Sequence, residues 1–263
     1  MNLTTKTMLI TGASSGIGRA TAVEAARRGA TVRLVARREH KLQDAADEIR
    51  LAGGSATVHV MDLSDGDAVK HAVDVLLDAH GPPDIVINNA GAGRWLTVEE
   101  TSPSEAVSMM GAPYFAAFFL SSYLIPAMRE RGSGWFLQVN SPACLVTFPG
   151  ATGYSASRAA LRAFSHGLDR ELRGTGIGVT HLIAGETSSN YFESNPNSHE
   201  RIPGLAKMYP LSTPETVAKS ICDAIERERR HVVMPWLLRV TCAIYEITPW
   251  MIRTPIWATA WRS

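Results

Sequence analysis

The sequence predicts an α/β protein in which one parallel sheet is covered on both faces by helices. Two observations carry this. Short apolar runs alternate with amphipathic helical stretches along the chain. The runs are nearly continuous in Val, Ile and Leu, as strands buried on both sides require. With 263 residues, 45% hydrophobic and 19% charged, the chain can bury one large core of this kind.

The elements follow in order. "TMLIT" is the first strand; residues from about Gly16 to Arg28 carry a helical pattern, with Gly29 placed as its left-handed stop. "TVRLVA" is the second strand, and "EHKLQDAADEIRLAGG" a helix ending on glycines. "ATVHVMD" and "GDAVKHAVDVLLDAHG" repeat the unit, and "DIVINNAG" is the fourth strand, ending in turn residues. A long helical region spans about Ser102 to Arg131, followed by the strand "GWFLQVNS", a helix from about Tyr154 to Arg173 and the strand "IGVTHLIAG". "TPETVAKSICDAIERE" has Thr213 as N-cap and Pro214 at the first helical position. "HVVMP" is the seventh strand, and the crossovers should be right-handed. Residues 186–212, rich in Ser, Asn and Pro, break the rhythm. They follow the sixth strand on the carboxyl edge of the sheet, where such folds bind ligands, and read as a mobile lid.

Composition excludes several classes. A formal net charge of +1 offers no electrostatic footprint for nucleic acid, and the basic clusters "ARR" and "ERERR" read as solvated surface. Cys144, Cys222 and Cys242 are few and far apart, which fits reduced thiols in the cytoplasm. The eight histidines show no metal-ligand spacing, so no metal site is expected. No signal-peptide pattern opens the chain, and no stretch reads as long and apolar enough to span a membrane.

"TGASSGIG", Thr11 to Gly18, joins the first strand to the first helix. Gly12 permits the tight turn, Gly16 lets backbone approach a phosphate, and Gly18 lets helix and strand pack closely. The helix N-terminus then offers N–H groups to a pyrophosphate. After a first strand and before a helix, this pattern predicts a dinucleotide site. An NAD-selective site would place an acid at the end of the second strand; this chain has Ala36, Arg37 and Arg38. Guanidinium forks suit a 2′-phosphate, so the expected cofactor is NADP(H).

"TGASSGIG", "NNAG" (Asn88 to Gly91), Ser141 and "YSASR" (Tyr154 to Arg158) occur in that order, with Ser141 thirteen positions before Tyr154. Over residues 5 to 235 this resembles the short-chain dehydrogenase/reductase family. The resemblance implies a single Rossmann-like, doubly wound domain with a seven-stranded parallel sheet, here residues 1–235 including the lid. It implies an oxidoreductase moving hydride between a nicotinamide and a carbonyl or alcohol carbon. Cofactor contacts are implied for the glycine loop (Gly12, Ser14, Ser15, Gly16, Ile17, Gly18), for Arg37 and Arg38, and for Asp62 and Leu63 at the adenine. Asn89, Ala90 and Gly91 are implied beside the ribose, and Gly185, Thr187 and Ser189 at the nicotinamide amide, with Ala184 standing where the family has proline. A homodimer or homotetramer is implied through "AVSMMGAPYFAAFFLSSYL" and Ser155 to Leu172.

Carbonyl reduction needs a proton donor at the oxygen that gains charge. A tyrosine phenol, an acid of pKa near ~10 in water, serves when a cation favours its anion. Tyr154 takes this role and Ser141 donates a second hydrogen bond. Two positions depart from the family. Arg158 replaces the usual lysine; it keeps the charge but is planar and never deprotonated. Pro113 stands where an asparagine usually holds a relay water at a helix kink. Two readings follow: an active enzyme using Ser141, Tyr154 and Arg158, or a catalytically impaired relative that binds NADP(H) as a sensor or binding partner.

Trp236, Trp250, Trp257 and Trp261 crowd the extension 236–263. Trp236, Val240, Ala243, Ile244 and Ile247 share a helical stripe, and Pro249 and Pro255 break the run. The tail lines an apolar substrate pocket, rests peripherally on a membrane, or meets another subunit. With Tyr191, Phe192 and Tyr209 in the lid, it points to a lipophilic substrate.

Overall fold

The computed structural model describes residues 1–91, 93–189, 191, 195 and 197–261; Phe192 lies outside them. Seven strands form one sheet: β1 Thr7–Thr11, β2 Thr31–Ala36, β3 Ser55–Val60, β4 Ile85–Asn88, β5 Gly134–Asn140, β6 Ile177–Ala184 and β7 His231–Met234. Their order is β3-β2-β1-β4-β5-β6-β7 and every pairing is parallel. The chain is therefore a Rossmann-like α/β domain, as expected.

Side-chain alternation sends each central strand's apolar residues to two cores. Met8 and Ile10 enter one, with Leu42, Ile49, Val217 and Ile221; Leu9 enters the other, with Val73, Leu120, Leu124 and Phe136. The first core lies under α1 Gly16–Arg27, α2 Glu39–Leu51 and α7 Pro214–Glu226. The second lies under α3 Gly66–His80, α5 Ala116–Arg131 and α6 Thr152–Glu171, with α4 Pro103–Met110 preceding α5. Helix starts are set locally. Asp65 accepts from the N–H groups of Asp67 and Ala68, Ser102 and Glu105 form a capping box, and Thr213 caps α7 ahead of Pro214. Gly29 takes φ +88° and ends the first helix, as its position predicts.

The long helical region is broken where a proline falls. Ala112 leaves helical geometry (φ −135°, ψ 113°) and Pro113 is buried behind it. A proline ring excludes the helical region for the residue before it, so the kink sits one position ahead of Pro113. The run Pro103–Arg131 corrects one expectation: by length and composition it could span a membrane. Instead its inner face, Leu120, Leu124 and Met128, packs on the sheet as a core helix.

The tail differs from its sequence reading at one of its two prolines. Pro249 breaks the run, since the helix before it stops and Thr248 leaves helical geometry (φ −134°, ψ 71°), whereas Pro255 does not. After α8, Trp236–Ile247, Pro249 opens α9, Pro249–Ala258, from its first position, and Pro255 lies inside it.

At one point the sheet tolerates no added atom. A Cβ on Gly178 of β6 would lie 2.1 Å from the Trp135 ring, which is held in place by its Nε1 donating to Thr180 Oγ1 at 2.8 Å. Gly178→Ala should destabilise the fold by about 1–3 kcal/mol. Urea denaturation reads this, and a loss below ~0.5 kcal/mol would show that the Trp135 ring is free to move aside.

Candidate active site

The carboxyl edge of β1 and β4 opens the cleft. Gly12 has φ +66°, and a Cβ there would lie 2.9 Å from Asn89 Nδ2; on Gly18 it would meet the Gly12 carbonyl oxygen at 2.3 Å. Both glycines are thus required by backbone contact. Gly16, at φ +53°, would keep its nearest neighbour at 3.5 Å, leaving space before the helix N-terminus. Thr11 Oγ1 accepts from the backbone N–H of Asn89 and of Ala90, each at 2.9 Å, so "NNAG" and the glycine loop form one unit. Arg38 Nη2 donates to Ser14 Oγ at 3.2 Å and Ser15 Oγ at 3.4 Å, which brings its guanidinium beside that loop. Arg37, Asp62 and Leu63 line the same end of the cleft. The Asp62 carboxyl is held below its usual range by hydrogen bonds from the Ser64 N–H and hydroxyl. This open glycine cradle beside cationic side chains fits a dinucleotide.

The three expected catalytic residues meet further along the cleft. Ser141 directly follows β5, and its Oγ accepts from Ala143 N at 3.3 Å. Tyr154 lies in the first turn of α6, buried between Trp95 (ring centroids 5.5 Å apart) and Tyr191 (6.3 Å). Arg158 follows one turn on, 7% exposed, with its guanidinium carbon 4.9 Å from the Tyr154 ring centroid. The cation therefore stacks on the phenol's ring, a cation–π contact. A Cβ on Gly91 would lie 2.6 Å from Arg158 Nη2, so glycine at 91 makes room for the arginine. Arg158 Nε is buried and has no hydrogen-bond partner among the described residues. Gly185, Thr187 and Ser189 line the cleft beyond β6, and Ser14, Ser15 and Ile17 line its glycine-loop end.

Sequence reading missed the residue that joins these parts. Asn140 accepts from Ser141 N at 2.9 Å through Oδ1 and donates through Nδ2 to the Arg158 carbonyl at 3.1 Å. The same amide nitrogen lies 3.0 Å from His181 Nε2. Because Nδ2 is the donor, His181 must accept, and its ring proton sits on Nδ1. An asparagine just before Ser141 was visible in the sequence, but nothing local to it showed its partners on α6 and β6.

The fold also gathers histidines that spacing along the chain kept apart, which corrects the reading of them as scattered. His166 of α6, His181 of β6 and His231 of β7 bring ring nitrogens within 4.8 Å of one another. His181 Nε2 is engaged by Asn140, and the His166 ring meets those of His181 and His231 edge-on, with centroids 5.3 and 5.4 Å apart. Burial, reinforced by His166, pushes His181 down to about 3.

The rest of the cleft is apolar. Trp95, Phe148, Leu145, Ile202, Leu238 and Ile256 line this part, and the cleft as a whole has a volume of about 970 Å³. Tyr191 donates to the Gly93 carbonyl at 2.5 Å, and burial with the adjacent Tyr154 phenol raises its pKa. The lid is fastened at several points. Ser188 N donates to Ser212 O and Ser212 N to Glu186 O; Arg201 makes two bonds to Glu100, at 2.5 and 2.7 Å, and stacks on Trp261; Tyr209 OH donates to Thr241 Oγ1 of α8. The tail stripe named from sequence faces outward, with Trp236 and Ile247 exposed; the opposite face of α8, with Leu238 and Cys242, lines the cleft.

With this geometry in place, comparison identifies the class. The sequence model of the short chain dehydrogenase family matches residues 6–200, and the chain belongs to that family. Ketoacyl reductase HetN of Nostoc sp. is 31% identical over 253 residues, 94% of this chain and 86% of HetN. The probable oxidoreductase EphD of Mycobacterium tuberculosis is 34% identical over 237 residues, 84% of this chain but only 39% of EphD's length. The structure of a short chain dehydrogenase/reductase from Burkholderia phymatum in complex with NAD superposes with a TM-score of 0.84 at 22% identity, covering 97% of this chain and 98% of the other. Other solved structures it resembles hold related cofactors: a metagenomic short-chain oxidoreductase contains NADP, and L-sorbose reductase from Gluconobacter frateurii contains NADPH.

The buried histidine makes stability depend on pH with a definite sign. Unfolded, His181 titrates near its ordinary 6.5; folded, near 3. Its contribution is complete above 6.5 and is lost as pH falls toward 3, since only the unfolded chain binds the proton. Relative to wild type, His181→Gln should remove up to one proton from the acid-side slope, ~1.4 kcal/mol per pH unit. Denaturation at a series of pH values checks this; parallel profiles would mean that His181 charges in the folded state.

Proposed function

We propose that the protein is an NADP(H)-dependent oxidoreductase acting on the carbonyl or alcohol carbon of a lipophilic substrate, with Tyr154 as acid–base residue. The observation that carries it is the meeting of Ser141, Tyr154 and Arg158 at one end of a cleft whose other end is a glycine cradle. When bound, the nicotinamide supplies or accepts the hydride. Tyr154 gives or takes the proton at the substrate oxygen, Ser141 Oγ donates a second hydrogen bond to it, and Asn140 fixes both hosts by tying Ser141 to α6. Arg37 and Arg38, with Ala36 where an acid would select NAD, support the phosphorylated cofactor. The apolar walls support a long-chain substrate, and the name of HetN, ketoacyl reductase, supports a ketone on an acyl chain.

A second reading is favoured by one observation. Arg158 covers the Tyr154 ring face, where a compact ammonium would act as a point charge. This geometry suits a protein that binds NADP(H) with little turnover. Both readings include a cytoplasmic protein whose three cysteines are unpaired, and a homodimer or homotetramer through residues 106–124, where Val107 and Phe118 are exposed, and Ser155 to Leu172 of α6.

Turnover of long- and short-chain ketones with NADPH separates the two readings. Activity that falls ~10²–10⁴-fold in Tyr154→Phe, with NADPH binding retained, supports the enzyme. A silent wild type that Arg158→Lys activates would establish the binding protein. Removing both cationic forks (Arg37→Ala with Arg38→Ala) should weaken NADPH binding by at least about tenfold and leave NADH unchanged. Tighter NADH binding by wild type would overturn the cofactor assignment.

A further inference from the structure

The two tail helices are apolar on both sides. Leu238, Cys242, Ile252 and Ile256 face the cleft. On the outer side Trp236 is 72% exposed, Ile247 82%, Trp250 62% and Trp257 66%, with Val240 and Met251 about half exposed. A helix packed on a domain in water ordinarily turns polar residues outward. Here the outward residues are large apolar groups, an exposed grouping of the kind that marks an interaction surface.

We propose that this outer face docks on an anionic lipid bilayer. Charge decides the occupant. Arg239 and Arg253 stand exposed among the tryptophans, and neither has an ion-pair partner among the described residues. The one acid on either helix, Glu246, is bonded to Arg162 at 3.1 Å. The face is therefore cationic and apolar at once. A second copy docked on it symmetrically would bring like charges together with no carboxylate free to neutralise them. Lipid headgroups supply the negative charge, and tryptophan and arginine are the side chains that settle at the headgroup boundary. The placement extends the lipophilic-substrate reading: the outer face rests on the bilayer while the inner face of the same helices walls the cleft, so an apolar substrate partitioned into lipid would meet the mouth of the site.

The test needs no substrate, so its failure is separate from failure of the enzymatic reading. The full-length protein is floated with vesicles of phosphatidylcholine plus phosphatidylglycerol, and with phosphatidylcholine alone. Binding to the anionic vesicles should exceed binding to the neutral ones, be weakened by salt, and shift tryptophan emission to shorter wavelength. Trp250→Glu with Trp257→Glu, both outside the cleft lining, should lower vesicle partition by at least roughly tenfold. NADPH affinity of that variant reports that it remains folded. Absence of flotation with either vesicle would overturn the proposal. So would a solution dimer that the same substitutions convert to monomer, which would make the face a subunit contact.

Discussion

The pairing of β1 with β4 is the constraint on which the site depends. Met8, Leu9 and Ile10 sit beside Ile85, Val86 and Ile87, yet the chain after β1 enters a helix over one face while the chain after β4 leads to helices over the other. Parallel strands bring every carboxyl end to one edge, and divergence at this pair opens a crevice that neither helix layer fills. Thr11 then closes the crevice floor. Its hydroxyl donates to Ile87 O and accepts from two N–H groups of the "NNAG" segment. The glycines follow from that closeness: a side chain at Gly12 would push Asn89 and Ala90 away and widen the floor.

On the substrate side, Asn140 plays the corresponding part. A strand and a helix packed through apolar groups can slide by fractions of an ångström at small expense, but a buried amide bonded at both ends specifies their register. Asn140 uses its oxygen on Ser141 and its nitrogen on the Arg158 carbonyl and His181, so hydroxyl and phenol are held relative to each other through backbone. Exchange of lysine for arginine changes what the side chain at 158 does to the phenol, while this backbone frame is indifferent to it.

Much of this was legible in the sequence because the signals are local. The strands read as apolar runs, the glycine loop as a turn before a helix, and Thr213–Pro214 as a helix start, each set within a few residues. Pro113 was readable as a break, although the distorted residue is Ala112, because the steric effect of proline falls on its predecessor. What escaped depends on partners far along the chain. The Asn140 junction joins residues 18 and 41 positions apart, and the histidine grouping draws on three elements. The tail's orientation stayed open, since apolar residues such as Leu238 and Cys242 lie opposite the stripe and periodicity could not select which side faces the domain. Of its prolines, Pro249 was readable as a break, whereas Pro255 misled, since it sits inside α9 where proline is ordinarily excluded.

The lid and tail are best understood as holding each other. Arg201 is nearly buried, and a buried cation destabilises unless it is paired. Its two bonds to Glu100 and its stacking on Trp261, 4.3 Å from guanidinium carbon to ring centroid, supply that pairing from opposite sides. Gly204 N and Leu205 N reach Thr259, and Tyr209 reaches Thr241, so the lid is bonded to the tail at positions well separated along both. Displacement of the tail would strip Arg201 of its stacking partner Trp261 and leave Glu100 alone to hold it. The tail helices are thus fixed by the lid on their inner side, and this is what allows their outer side to stay apolar and uncovered without the helices folding back upon the domain.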